Sequence, residues 1–133
     1  KSFKIVTLLK VAEQIRKLDN HSESNNEFIN ESDFTTKISP SVINIENSLT
    51  PFDPNIEIKN FIFCVERKPL ILSDGSIYKG QWDKDGKRCG YGILIRTDGS
   101  KYEGFWKYDL LNGKGRYIDG SGSFFYEGKT LIK

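Results

Sequence analysis

The feature that most constrains the fold is a repeat of 24 residues in the second half of the chain. Residues 74–82 read DGSIYKGQW, and residues 98–106 read DGSKYEGFW. A partial third copy, Tyr126-Glu127-Gly128, begins 24 residues after Tyr102. Because self-similarity at a fixed period indicates one structural unit used repeatedly, the sequence predicts an array of like units.

Each unit has the pattern of a β-hairpin. Asp98-Gly99 lies between two apolar runs, and both residues tolerate the positive φ of a tight turn. Since side chains alternate along a strand, Tyr78, Gly80 and Trp82 are expected on one face, with the glycine leaving a gap for a neighbouring ring. A Gly-x-Gly pair follows each tryptophan, at residues 90–92 and 113–115. Stacked hairpins predict a mainly β fold, a long, twisted, single-layer antiparallel sheet.

The order Tyr-x-Gly-x-Trp, polar loop, Gly-x-Gly and apolar strand closed by Asp-Gly resembles the MORN repeat (membrane occupation and recognition nexus). Clear repeats span about residues 74–97 and 98–118, with a partial one at 122–133, inside an array at 61–133. The first loop is one residue longer than the second, and Thr130 stands where a third tryptophan would. The resemblance implies an accessory or structural array of the kind found in axonemes, other cytoskeletal structures and membrane–cytoskeleton junctions.

The first 18 residues predict an amphipathic helix with a net charge of +4. Such a short helix needs a surface to lie against, either its own domain, a partner protein or a membrane. The expected docking face consists of apolar residues spaced by three and four: Ile5, Leu8, Leu9, Ala12 and Ile15.

Residues 19–58 carry a net charge of −7, and fourteen of the forty-two residues from 19 to 60 are Asn or Ser. This composition predicts an extended linker. Scattered apolar side chains could pin it along another surface: Phe28, Phe34, Ile43, Ile45, Phe52, Ile56 and Ile58. The pattern leaves open whether this arm caps its own array or binds a neighbour.

Cys64 and Cys89 form no CxxC motif, and His21 is the one histidine, so the sequence predicts no metal site. No secretory signal is evident, which favours two reduced thiols, although a disulfide is possible. The chain begins at Lys1 and contains no methionine, so we expect an excerpt or a processed form.

The sequence contains none of the common catalytic motifs. Ile95 and Ile118 stand where a dinucleotide-binding GxGxxG would need its third glycine, and the acidic residues of the repeat lie in turns. Basic residues are interleaved with acidic ones, which disfavours nucleic-acid binding. We therefore expect no enzyme activity, cofactor, small-molecule substrate or nucleic-acid partner.

Two sets of residues are candidates for binding. The aromatic set either fills the interior of a thin sheet or forms a shelf for a partner helix or peptide: Tyr78, Trp82, Tyr102, Phe105, Trp106 and Tyr126. The basic set could contact acidic lipid headgroups or acidic proteins: Lys79, Lys84, Lys87 and Arg88. Asp83 and Asp85 lie in the same loop and nearly balance its charge.

These observations predict a non-enzymatic scaffold or adaptor in a larger protein assembly. The resemblance points to an intracellular setting, in a cilium (axoneme) or the cytoskeleton. Two alternatives remain: a peripheral membrane protein that binds acidic phospholipids, and a regulatory MORN segment of a larger enzyme.

Overall fold

The structure is a computed structural model that describes residues 27–56, 61 and 63–131. The helix expected at residues 1–18, with its docking face, lies outside the described residues, as does Ile58. Within the described ranges the fold is mainly β, with two short α-helices.

An antiparallel sheet of eight strands, which does not close into a barrel, dominates the described chain. The strands are β1 (Glu27–Phe28), β2 (Val65–Glu66), β3 (Leu70–Ile71), β4 (Ile77–Trp82), β5 (Arg88–Ile95), β6 (Lys101–Lys107), β7 (Leu110–Ile118) and β8 (Phe125–Leu131). Their order in the sheet is β1-β3-β4-β5-β6-β7-β8, and β2 pairs separately with β4. This architecture confirms the predicted sheet of stacked hairpins.

The Asp-Gly pairs make the turns that their sequence predicts. Gly99 has a φ of +85°, and the carboxylate of Asp98 accepts a hydrogen bond from the Ser100 amide at 2.9 Å. Asp74, Gly75 and Ser76 repeat this geometry one period earlier, with Gly75 at a φ of +90°. Turn chemistry therefore sets the register of each strand that follows.

Residues 31–48 form two helices, so the prediction of an extended linker is wrong there. Helix α1 (Glu31–Thr36) begins after Asn30, whose side chain accepts a hydrogen bond from the Asp33 amide at 2.8 Å. Helix α2 (Pro40–Ser48) begins after Ser39, whose hydroxyl accepts one from the Val42 amide at 3.2 Å. Asn30 and Ser39, two of the residues that suggested a linker, are therefore helix caps, and Pro40 occupies the first helical turn, where proline is tolerated.

This segment covers one face of the sheet, which we call the covered face. Phe34 of α1 is buried against Ile77 and Ile95. Further along, Phe52 stacks on Tyr91 with ring centroids 6.1 Å apart. Phe34 and Phe52 are thus anchors of the kind the sequence suggested, whereas Phe28 and Ile43 are exposed. The sheet itself is a single layer, but residues 29–56 and Phe61 add a partial second layer over this face.

Cys64 and Cys89 form a disulfide, so the expectation of two reduced thiols is wrong. The two cysteines are 25 residues apart in sequence, with their Cα atoms 6.0 Å apart. They meet because their chain neighbours, Val65 and Arg88, both pair with Trp82 of β4. This register is a long-range feature that cysteine spacing alone does not reveal.

Candidate functional site

The second face of the sheet, which we call the aromatic face, holds the main apolar core. Its rings meet edge to face. The centroid of the Trp106 ring lies 5.5 Å from the centroid of the Tyr78 ring and 5.4 Å from that of the Tyr102 ring. Trp106 is fully buried, and its indole N–H donates to the Gly92 carbonyl at 3.2 Å. The buried cluster comprises Leu70, Leu72, Tyr78, Trp82, Leu94, Tyr102, Trp106, Leu111 and Tyr117. Four of the six aromatic candidates are therefore placed in the interior, not on an open shelf.

A row of glycines crosses this face from strand to strand. Gly92 pairs with Gly80 on one side and with Gly104 on the other, and the row continues through Gly115 to Gly128. The tyrosine rings lie over this row. A Cβ atom on Gly92 would overlap the hydroxyl of Tyr78. The glycines are required because a ring occupies the space that side chains would fill.

Arg88, a candidate for contact with acidic surfaces, is buried among the core rings instead. Its guanidinium lies 4.7 Å from the centroid of the Trp106 ring, and only 1% of the residue is exposed. The Arg88 amide and Nε both donate to the carboxylate of Asp109, at 2.7 and 3.1 Å. A buried charge is retained only when it is paired and hydrogen-bonded, so Arg88 is a structural residue.

The other basic candidates differ from one another in their surroundings. Lys79 is partly buried and forms an ion pair with Glu31, next to the Phe34 ring. Lys84 and Lys87 are exposed in the loop between β4 and β5. Asp83 in the same loop accepts hydrogen bonds from the amides of Asp85 and Lys87, at 2.8 and 3.0 Å. The structure therefore separates the basic set into two exposed lysines and two residues bound within the fold.

Phe105 lies on the covered face, apart from the other aromatic candidates. It is fully buried, and the Phe61 ring stacks on it with centroids 5.6 Å apart. Phe52 also contacts it, at 6.5 Å between centroids. Consecutive side chains of a strand point to opposite faces, so the sequence alone is enough to place Phe105 and Trp106 on opposite faces of the sheet, as the structure has them.

Two basic side chains that were not among the candidates tie the helical segment to the covered face. Lys101 is buried, and its ammonium group lies 2.7 Å from the carboxylate of Glu46 on α2. Arg116 donates to the Thr50 carbonyl and bonds Glu127 of β8 at 2.7 Å. Their positions on strands were readable from the sequence, but their partners were not.

Burial changes the ionisation of the core tyrosines. It raises the pKa of Tyr78 well above the usual range, and a nearby Arg88 charge opposes this only partly. Burial also raises the pKa of Tyr91, and so does its hydrogen bond to Glu103. These phenols therefore stay neutral at physiological pH, and neither is poised for acid–base chemistry.

Tyr126 lies at the end of the array, on strand β8. Its ring is partly buried against the core cluster. One edge of β8 pairs with β7 from Ile118↔Phe125 to Asn112↔Leu131, while no other strand in the described part of the chain pairs with the second edge. Of the six aromatic candidates, Tyr126 alone lies on a strand that pairs with only one other strand among the described residues.

Neither a metal centre nor a membrane-spanning helix is found among residues 27–56, 61 and 63–131. No group of three or more His, Cys, Asp or Glu residues there could hold a metal ion. No helix in the same ranges is long and apolar enough to cross a membrane.

Comparison with known protein families identifies the repeat. The family model of the MORN repeat matches residues 78–101 and 102–124, with the period found in the sequence and a start four residues later. No curated protein matches the chain.

Proposed function

Because the chain contains two adjacent MORN repeats, we propose that it is a non-enzymatic scaffold or adaptor of a larger protein assembly. MORN repeats are typical of scaffold-like or membrane-associated repeat proteins and are generally not catalytic. The observation that carries the proposal is the burial of Tyr78, Trp82, Tyr102 and Trp106 in the core. Because these rings pack inside the sheet, they are not available to partners. The array can then act as a rigid spacer that partners contact at strand edges and turns.

The setting we propose is ciliary or cytoskeletal. The family resemblance supports it, since MORN arrays occur in axonemes and other cytoskeletal structures. Two contacts that join the sheet to the helical segment also suit a part under mechanical load: the Lys101–Glu46 ion pair and the hydrogen bond that Arg116 donates to the Thr50 carbonyl.

Extraction of cells that express a tagged full chain tests this proposal. A scaffold is expected to stay in the detergent-insoluble fraction after membranes are dissolved, and to enter solution as a large complex when salt is raised. Recovery of the tagged chain in the detergent extract as a free monomer would contradict it.

A second candidate function, binding of acidic phospholipid, is favoured by one end of the sheet. The loop that carries Lys84 and Lys87 lies there, and Phe63 and Tyr108 are 86% and 65% exposed. Exposed aromatic rings beside cations suit a lipid interface, although Asp83 and Asp85 reduce the local charge.

Co-sedimentation with vesicles separates the two candidates. Membrane binding predicts capture by phosphatidylserine vesicles that weakens as salt is raised. Lys84→Gln with Lys87→Gln should then lose capture, whereas Lys37→Gln, an exposed site after α1, should keep it. If vesicles with and without acidic lipid capture equally little protein, lipid binding is excluded.

A further inference from the structure

The sequence contains two dipeptides in which serine or threonine precedes proline, and the fold treats them differently. At Ser39-Pro40 the serine hydroxyl caps α2. It accepts a hydrogen bond from the Val42 amide at 3.2 Å and donates one to the Gly120 carbonyl, also at 3.2 Å. This hydroxyl is partly buried and held between the helix and the sheet, so it is shielded from modifying enzymes.

At the second dipeptide, Thr50-Pro51, both residues are exposed. Helix α2 ends just before it, where the Leu49 amide bonds the Glu46 carbonyl at 3.0 Å, and residues 50–53 belong to no helix or strand. A residue before proline favours an extended backbone, and protein kinases bind their acceptor segments in that conformation. Thr50 therefore has the exposure and the sequence context that a proline-directed kinase requires.

The strands beneath this segment carry an excess of positive charge on the covered face. Lys114 of β7 pairs with Lys129 of β8, and two positions along, Arg116 pairs with Glu127. The Glu127 carboxylate lies 2.7 Å from Arg116 Nε and 4.0 Å from the Lys114 ammonium group. Because alternation places these four side chains on one face, three cations face one carboxylate there, and the local charge is +2.

This positive charge lies against the segment that carries Thr50. Arg116 donates to the Thr50 carbonyl, and the Lys114 ammonium group lies 5.5 Å from the centroid of the Phe52 ring. Since the hydroxyl and the carbonyl belong to one residue, a phosphoryl group on the hydroxyl comes within reach of the same guanidinium. The site stays positive even when the exposed carboxylate of Asp53 is counted with it.

We propose that Thr50 is a phosphorylation site whose phosphate holds residues 49–53 more tightly on the covered face. The γ-phosphoryl group of ATP forms a bond to Thr50 Oγ and its bond to the β–γ bridging oxygen breaks; the catalytic aspartate of the kinase takes the hydroxyl proton, and ADP leaves. The phosphate carries a charge of about −1.5 to −2 and three acceptor oxygens, which suits the excess positive charge around Arg116.

Incubation of the purified full chain with a proline-directed protein kinase and ATP, followed by mass spectrometry, tests the site. We expect phosphate on Thr50 and none on the Thr50→Val variant. Ser39 is the matched control within the chain, and it should react at least about tenfold more slowly, because its hydroxyl must first leave the helix cap. Synthetic peptides of residues 34–44 and 45–55 should both accept phosphate, since neither hydroxyl is shielded there.

Urea unfolding of the phosphorylated and unmodified chains measures the effect of the phosphate. One charge-assisted hydrogen bond predicts an unfolding equilibrium constant about tenfold lower in the phosphorylated chain. In Arg116→Gln the phosphate should change this constant by less than about threefold, whereas Lys37→Gln, altered at an exposed lysine after α1, should keep the full effect. Salt at about 1 M should also reduce the effect, which measures the charge contribution without a variant.

Four results would overturn the inference. In the kinase assay these are a folded chain in which Thr50 gains no phosphate, or one in which Ser39 reacts as fast as Thr50. In the unfolding assay they are a phosphate that leaves the equilibrium constant unchanged or raises it, or a stabilisation that persists in full both in Arg116→Gln and at high salt. None of these measurements depends on the scaffold proposal, which the detergent extraction tests separately.

Discussion

Replacement of Trp106 by alanine tests most sharply whether the aromatic residues of the repeat form its interior. The indole ring is fully buried, contacts the rings of Tyr78 and Tyr102, and carries the Arg88 guanidinium on its face. Truncation of a buried tryptophan typically costs about 3–5 kcal/mol, to which the hydrogen bond to Gly92 contributes about 1 kcal/mol. Since small domains are stable by only about 5–15 kcal/mol, the variant should lose a large part of its stability.

Urea unfolding of the full chain measures this loss. Trp82 remains as the fluorescent probe in Trp106→Ala, and circular dichroism follows the sheet independently. Tyr108→Ala is the matched control, because the Tyr108 ring is exposed in the turn that follows Trp106 on the same hairpin, and its removal should change stability by less than about 0.5 kcal/mol. If Trp106→Ala and Tyr108→Ala had equal midpoints, the ring would be a surface anchor and the interior assignment would be refuted.

Three further predictions concern the polar and covalent contacts. Asp109→Asn removes the carboxylate to which the buried Arg88 guanidinium donates, so it should cost about 3–5 kcal/mol in urea unfolding. A loss below about 1 kcal/mol would refute the buried pair. Because folding raises the pKa values of Tyr78, Tyr91 and Tyr117, these neutral phenols contribute fully to stability below pH 10, and their contribution falls as the pH rises further. Urea unfolding midpoints measured from pH 8 to 11 should therefore decline above about pH 10, and a flat profile would contradict this. The double substitution Cys64→Ser with Cys89→Ser removes a disulfide that joins residues 25 positions apart, so it should lower the free energy of unfolding by about 3–4 kcal/mol. A reducing agent should not lower the stability of this variant further, and an unchanged stability of the variant would indicate that the two thiols are not linked.

The sheet was predictable from the sequence because its determinants are local. Asp98-Gly99 fixes a turn, and alternation then places Tyr102 and Trp106 on one face and Phe105 on the other. The same turn and the same alternation occur in both repeats, so the strand assignment in one hairpin could be checked against the other.

The helical cover was missed because capping and linker compositions are alike. Asn30 and Ser39 counted toward an Asn/Ser-rich linker, yet each is the cap of a short helix. Whether such a segment forms helices or an extended linker depends on the burial of a few side chains, such as Phe34 and Phe52, against strands that are distant in sequence. The composition of the segment does not show whether such a surface is present.

Arg88 was assigned to the surface because its neighbours in sequence are polar. Its partner, Asp109, is 21 residues away in a turn where Tyr108 and Asp109 both have positive φ, at 52° and 67°. Only the pairing of β5 with β6 and the turn before β7 bring the two together. The Cys64–Cys89 disulfide was missed for the same reason, since it depends on the common pairing of two segments with Trp82.

Residue-resolved hydrogen exchange on the full chain tests the central claim most directly. The claim is that a MORN sheet buries its repeat aromatics on one face and is closed on the other face by its own helical segment. Amides of β4 to β7 and of α2 should be strongly protected. Free exchange throughout α2, or throughout β4 to β7, would contradict it.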